Sequence, residues 1–251
     1  MIYLSVMNIL SEIRTFSDLI GSNVFSLNED LRDSVAERNY KRIGLFPGAY
    51  KPPHRGHYHT ANVSASKTDS LYIVISNAPR EDINGEVARD VWEIYKTYII
   101  RDNPGTDVQI KMLDFAASPV AITYQIANII NNKHYIPGER DNDKVPLPGI
   151  PEISEEILQR YTDEVILVPV AGKGDAGRYS GLHRSDKYSG DNIKHIDILE
   201  VERLTSATDV RSAILAVAQG GGDVSTIRQN LPEVLTPEDE EKILNILLPL
   251  K

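Results

Sequence analysis

The sequence predicts an α/β fold: a mostly parallel sheet of about five strands with helices on both faces. Three observations lead there. Short apolar runs occur at residues 42–46, 71–75, 108–113, 165–170 and 193–199, several of them rich in β-branched residues. Such runs, closed by Gly, Pro, Asn or Ser, read as strands buried on both faces. Segments with helical apolar spacing lie between them, and that alternation makes parallel sheets.

Each element has its own signal. Residues 1–40 read as an N-terminal helical extension ending in the charged run 28–38. Its apolar start lacks a basic flank and a small-residue cleavage site, so a helix is expected there and not a signal peptide. The first strand, 42–46, closes on Pro47 and Gly48, and a helix begins near Arg55 or Gly56. The second strand, 71–75, closes on Ser76-Asn77-Ala78-Pro79. Asn84 is a helix cap, followed by an apolar stripe of Val87, Val91, Tyr95, Tyr98 and Ile99. Asn103-Pro104-Gly105 stops that helix before the third strand, 108–113. Ser118-Pro119 opens the next helix, with Pro at its first position, running to about Asn132.

Residues 133–160 carry Pro137, Gly138, Pro146, Pro148 and Pro151, and read as a loop insertion with one short helix from Ser154. Strands at 165–170 and 193–199 follow. A helix over 206–218 has Val210, Ala213, Ile214, Val217 and Ala218 on one face and ends at Gly220-Gly221-Gly222. The chain closes with a helix from Thr236 to about Leu248. The expected organisation is an extension at 1–40, a main domain at 41–218 and a C-terminal helical tail at 219–251.

Composition narrows the function. A chain of 251 residues can bury roughly 70% of its surface and needs no covalent staple. It has no Cys, which removes thiol nucleophiles, Cys-ligated zinc and iron–sulfur clusters. The net charge of −9 argues against general nucleic-acid binding. A hydrophobic share of 41% with no apolar run near 20 residues argues against a membrane span. A cytoplasmic location is the expectation.

In parallel sheets, ligands bind beyond the carboxyl ends of the strands. After the first strand comes Gly48-Ala-Tyr-Lys-Pro-Pro-His54-Arg-Gly-His57. His54 and His57 are three apart, so at a helix start they point the same way. They would flank free N–H groups that favour anions, with Gly56 letting a phosphate approach the backbone. A metal pair is the competing reading, but no carboxylate adjoins to complete it, so no metal site is expected.

The pattern Gly-x-aromatic-x-Pro-x-His-x-Gly-His resembles the signature of the nucleotidylyltransferase superfamily, and Gly48, Tyr50, Pro52, His54, Gly56 and His57 fill its fixed positions. The family's second motif is Ile-Ser-Ser-Thr-x-Ile-Arg. This chain has Thr205-Ser206-Ala207-Thr208-Asp209-Val210-Arg211, so Ser206, Thr208 and Arg211 match while Ala207 lacks a hydroxyl. Helix capping alone explains Ser206 and Asp209 but not Arg211. The two motifs frame most of the main domain.

The resemblance implies a Rossmann-like, doubly wound enzyme. It would transfer NMP from an NTP, ATP favoured, to a phosphate of an acceptor such as nicotinamide mononucleotide, releasing pyrophosphate. His54, His57, Lys51 and Arg211 would be the catalytic set. Gly48, Tyr50, Gly56, Ser206 and Thr208 would bind nucleotide, and Mg²⁺ would arrive with the NTP. Gly172, Asp175 and Arg178, after the fourth strand, look similar to the family's nucleotide-contacting loop, with Lys173 beside them. That stretch is formally Gly-x-Gly-x-x-Gly, but no apolar helix follows it, so a dinucleotide fingerprint is rejected. Arg80, Arg89, Trp92 and Ser118 would meet the acceptor, although Trp92 has core spacing and Arg89 is placed to pair with Glu93.

The alternatives are a CTP-dependent enzyme acting on an alcohol phosphate and a catalytically silent nucleotide-binding regulator. Cytidylyltransferase-like proteins of tailed phages are also similar. A class I aminoacyl-tRNA synthetase shares the first loop, but this chain lacks that class's second one. The expected partners are an NTP and a small phosphorylated acceptor, with neither nucleic acid nor membrane; a homo-oligomer is left open.

Overall fold

A computed structural model describes residues 40–77, 83–131, 147–183, 192–202, 204–205 and 207–248. Apart from Tyr40, the expected helical extension lies outside these residues, as do Arg80, Ser206 and the first half of the insertion at 133–160.

The elements are β1 (Lys41–Gly48), α1 (Arg55–Ala65), β2 (Ser70–Ile75), α2 (Gly85–Asp102), β3 (Asp107–Met112), α3 (Pro119–Asn131), α4 (Ile150–Arg160), β4 (Val165–Gly172), β5 (Ile193–Ile196), β6 (Leu199–Val201), α5 (Ala207–Ala218), α6 (Val224–Arg228) and α7 (Pro237–Leu247). All strand pairings are parallel, in the order β3-β2-β1-β4-β5, with β6 also on β4. This is an α/β, Rossmann-like sheet, as expected.

The last expected strand, 193–199, is present but broken. Ile196 pairs with Leu167 and Leu199 with Val170, so β5 and β6 continue one register along β4. Asp197 N–H donates to the Leu167 carbonyl at 2.9 Å, so Leu167 faces this edge, and Pro169, two residues on, faces it too. Proline has no N–H, so the ladder loses a rung there. That makes six strands where five were expected.

Alternate residues of the sheet feed two cores. Leu71, Ile73 and Ile75 face α1, α2, α5, α6 and α7, while Tyr72 and Val74 face α3 and α4. α2 is capped as its sequence implies: Asn84 Oδ1 accepts from Val87 N–H at 3.0 Å.

Two segments differ from expectation. The helix in the insertion starts at Ile150, not Ser154. Pro151 stands in its first turn, where a missing N–H costs nothing, and Ile150, Ile153 and Ile157 are buried against the sheet. The segment read as a C-terminal tail is part of the first core: Ile227, Leu231, Leu235, Ile243, Leu244 and Leu247 are buried with β2 and α2.

Candidate active site

The strand order reverses between β1 and β4, so a crevice opens beyond their carboxyl ends. A cleft of about 630 Å³ lies there. Its walls are the end of β1, the start of α1, the end of β4 with the turn after it, and the loop leading into α5.

The β1 wall is shaped by Tyr50. Its backbone is left-handed, φ 49°, and its ring folds back over Gly48. A Cβ on Gly48 would lie 2.6 Å from Tyr50 Cζ, so only glycine fits under the ring. The Tyr50 hydroxyl donates to the Phe46 carbonyl. The ring meets Trp92 edge-on at 5.2 Å and His57 at 5.0 Å. A buried aromatic group thus backs the histidines.

His54 and His57 both line the cleft, their rings stacked with centroids 3.8 Å apart. His54 is also the cap of α1: its Nδ1 accepts from Gly56 N–H at 3.1 Å. Burial, and then the charge of Arg55, pushes the His54 pKa down to about 4. The neutral ring therefore carries its proton on Nε2, and His54 is an uncharged donor at neutral pH.

The second motif closes on the first. Arg55 Nε donates to Thr205 Oγ1 at 2.9 Å. A Cβ on Gly56 would stand 3.2 Å from Thr205 N and 3.0 Å from His54 Cε1, so a side chain there would crowd the place where the two meet. Arg211 donates through Nη1 to the Lys51 carbonyl at 3.0 Å and through Nη2 to Thr208 Oγ1 at 3.1 Å. Thr208 and Ala207 line the cleft.

The third wall is the turn after β4. Gly172, Asp175 and Arg178 all line the cleft. Asp175 N–H donates to the Gly172 carbonyl, and Arg178 Nη1 lies 3.9 Å from Asp175 Oδ1. Lys173 points elsewhere and pairs with Glu202 at 3.7 Å on the surface.

The structure brings together Gly48, Tyr50, His54, Gly56, His57, Gly172, Asp175, Arg178 and Thr208. Lys51 does not line the cleft: it is 2% exposed and offers its carbonyl to Arg211. Arg211 does not line the cleft either; it ties the Lys51 carbonyl to the Thr208 hydroxyl, which does. Three of the acceptor candidates are placed otherwise than expected. Trp92 is fully buried in the core, as its spacing with Val91 and Tyr95 implied. Arg89 is half-buried and pairs with Asp90, not Glu93. Ser118 is exposed and caps α3 by accepting from Ala121 N–H at 3.1 Å, while its neighbour Pro119 reaches the cleft.

Residues that sequence reasoning passed over also line the cleft: Thr60, Tyr179, Leu204 and Thr205. Leu204 carried a signal only the fold reveals, being a leucine 49% exposed at the cleft. Among the described residues, no group of three or more His, Asp or Glu is placed to hold a metal ion. Among them too, no helix is long and apolar enough to cross a membrane.

No protein-family profile and no curated protein matches the chain. It is similar to several solved structures. One is a candidate nicotinate-nucleotide adenylyltransferase from Vibrio parahaemolyticus, with 16% identity, 82% of this chain and 99% of that one covered, and a TM-score of 0.43. Another is nicotinic acid mononucleotide adenylyltransferase from Plasmodium falciparum complexed with NaAD, with 11% identity, 84% and 100% covered, and 0.44. A third is a bifunctional NMN adenylyltransferase/ADP ribose pyrophosphatase from Francisella tularensis complexed with AMP and a Mn ion, with 15% identity, 82% and 51% covered, and 0.44. The chain thus spans about half of the last.

Proposed function

We propose that this protein is a nucleotidylyltransferase. A phosphate oxygen of a small acceptor attacks the α-phosphorus of an NTP. The new P–O bond forms as the bond to the bridging α,β-oxygen breaks, and pyrophosphate leaves with the electron pair. The nucleophile is already ionised, so neither a strong base nor a covalent intermediate is needed. Alignment and charge stabilisation carry the rate.

The observation behind this reading is the meeting of the two motifs at the β1/β4 crevice. The stacked His54 and His57 face a cleft whose other side is the start of α5, with Thr208 on it. Neutral His54 would donate through Nε2 to the oxygen on which negative charge grows. His57 would donate beside it. The N–H groups of Arg55, Gly56 and Tyr58 at the start of α1 are already bonded, so the anion would be met by the start of α5, with the Thr208 hydroxyl, and by Arg178 as a cation at the third wall. Arg211 and Lys51 would act by holding the loops that make these contacts. Mg²⁺ would enter as part of the NTP substrate, held by its phosphates.

ATP and an acceptor like nicotinamide mononucleotide are the pair we favour, on the resemblance of the two motifs. The test is pyrophosphate release with each of the four NTPs against a panel of phosphorylated acceptors. Release that requires both an NTP and one acceptor class supports the reading. Tight NTP binding with no release for any acceptor overturns it in favour of a silent regulator.

A further inference from the structure

Arg55 stands where three distant stretches of chain meet. Its backbone N–H donates to the Asn230 carbonyl at 2.8 Å, in the turn after α6. Its Nε donates to Thr205 Oγ1 at 2.9 Å, just ahead of α5. The next residue, Gly56, leaves a Cβ only 3.2 Å from Thr205 N. Arg55 fills the variable position between His54 and Gly56. Thr205 fills the place where the pattern Ile-Ser-Ser-Thr-x-Ile-Arg carries Ile. An isoleucine accepts no hydrogen bond, so this chain has at both positions the residue types that a cross-link needs. The bond is charge-assisted and half-buried, which puts it in the stronger class.

We propose that Arg55 and Thr205 form a clasp that sets the spacing between the starts of α1 and α5, with Arg55 as a positioning residue for the transferred phosphate. The inference rests on the nucleotidylyl-transfer reading above. An NTP that spans both helix starts reacts only when they are correctly spaced, and an error of about 1 Å in such an alignment can cost 10²-fold. The clasp acts through His54 and His57 on one side and Thr208 on the other. The backbone bond from Arg55 to Asn230 survives side-chain replacement. Arg55→Ala also removes a charge that lowers the His54 pKa, so Thr205→Val, which keeps that charge, is the variant that reports on the clasp alone.

The test is a double-mutant cycle on the full chain: Arg55→Ala, Thr205→Val and both together, with Thr205→Ser as the conservative control. Turnover and KM are measured by pyrophosphate release from ATP, ATP affinity by calorimetric titration, and folding by melting temperature. Each single change is expected to lower kcat about tenfold, the scale of one hydrogen bond to a charged group. ATP affinity should change less than about threefold, because most ground-state contacts remain. The double variant should be no worse than the poorer single, since both remove the same interaction. Thr205→Ser should stay within about twofold of wild type.

Losses that multiply in the double variant overturn the clasp, and so does a fall in melting temperature with kcat per folded molecule unchanged. A wild-type protein that turns over with both single variants unaffected overturns the clasp alone. A wild-type protein that releases no pyrophosphate from any NTP overturns the nucleotidylyl-transfer reading and the clasp with it.

Discussion

His54 does two jobs with one ring, and they separate cleanly by substitution. Nδ1 caps α1, and Nε2 is left to face the cleft. The folded-state pKa near 4 lies below the usual 6.5, so between those values the unfolded chain binds the proton and the folded chain does not. Stability is therefore full above pH 6.5 and is lost as pH falls toward 4, by about 3 kcal/mol in all for this group. Asn is among the best caps and does not titrate. His54→Asn should keep most of the stability at pH 7.5 and flatten its fall between pH 6.5 and 4, as read by urea unfolding across that range. The same slope in both proteins would show that His54 is not the group responsible. His57 sits between His54 and the edge of Tyr50, outside the aliphatic core. His57→Ala should leave the melting temperature within a few degrees, barely change NTP affinity, and lower turnover about 10²–10³-fold. The members of both motifs were legible because each motif is local in sequence. The bond between Arg55 and Thr205 was not, because only the fold brings those residues together. Lys51 shows the complementary limit: its type suits a phosphate contact, but burial commits it to the scaffold.

Strands were the most legible elements. A run such as 71–75 has no polar face to misplace, so its burial follows directly. The gap between β5 and β6 was missed because its cause lies on another strand, at Pro169. The start of α4 was missed because Pro151 was weighed as a breaker when it occupies a first turn, and the spacing of Ile150, Ile153 and Ile157 was the better guide. Of the C-terminal helices, α7 was found but given too small a role, and α6 was missed. They bury six aliphatic side chains against α2 and the sheet, and the carbonyl of Asn230 receives the first N–H of α1. Ile243 is fully buried. Ile243→Ala should cost about 2–5 kcal/mol in urea unfolding, as for a core aliphatic, and should not alter the unfolding slope. A change below 0.5 kcal/mol would mean that α7 is peripheral.

At the scale of the whole molecule, the alternation of strands and helices gave the class, but strand order left no local trace in the sequence. Parallel strands do not announce their neighbours, and the place of β4 beside β1 follows only from closing both cores at once. That place has a kinetic consequence. β1 is shared between a partner near in sequence, with Ile43 opposite Ser70, and one far away, with Lys41 opposite Val165. The near pairing closes a loop across α1 alone. The far one must wait until β2, β3 and four helices have been threaded past, and its entropy is spent before any contact repays it. The half-sheet β1-β2-β3 should form first and β4 dock late. Val74→Ala should then slow refolding, with a φ-value above about 0.5, while Val168→Ala should mainly speed unfolding, with a φ-value below about 0.3, in stopped-flow chevrons. Both side chains are fully buried, so each change is large enough to read. The reverse pattern would place the nucleus on β4. With this order, a nascent chain carries His54 and His57 early but has no cleft until β4 and the loop into α5 have docked, so on the proposed reading a nucleotide would stabilise only a molecule whose sheet is already closed, and not the early half-sheet.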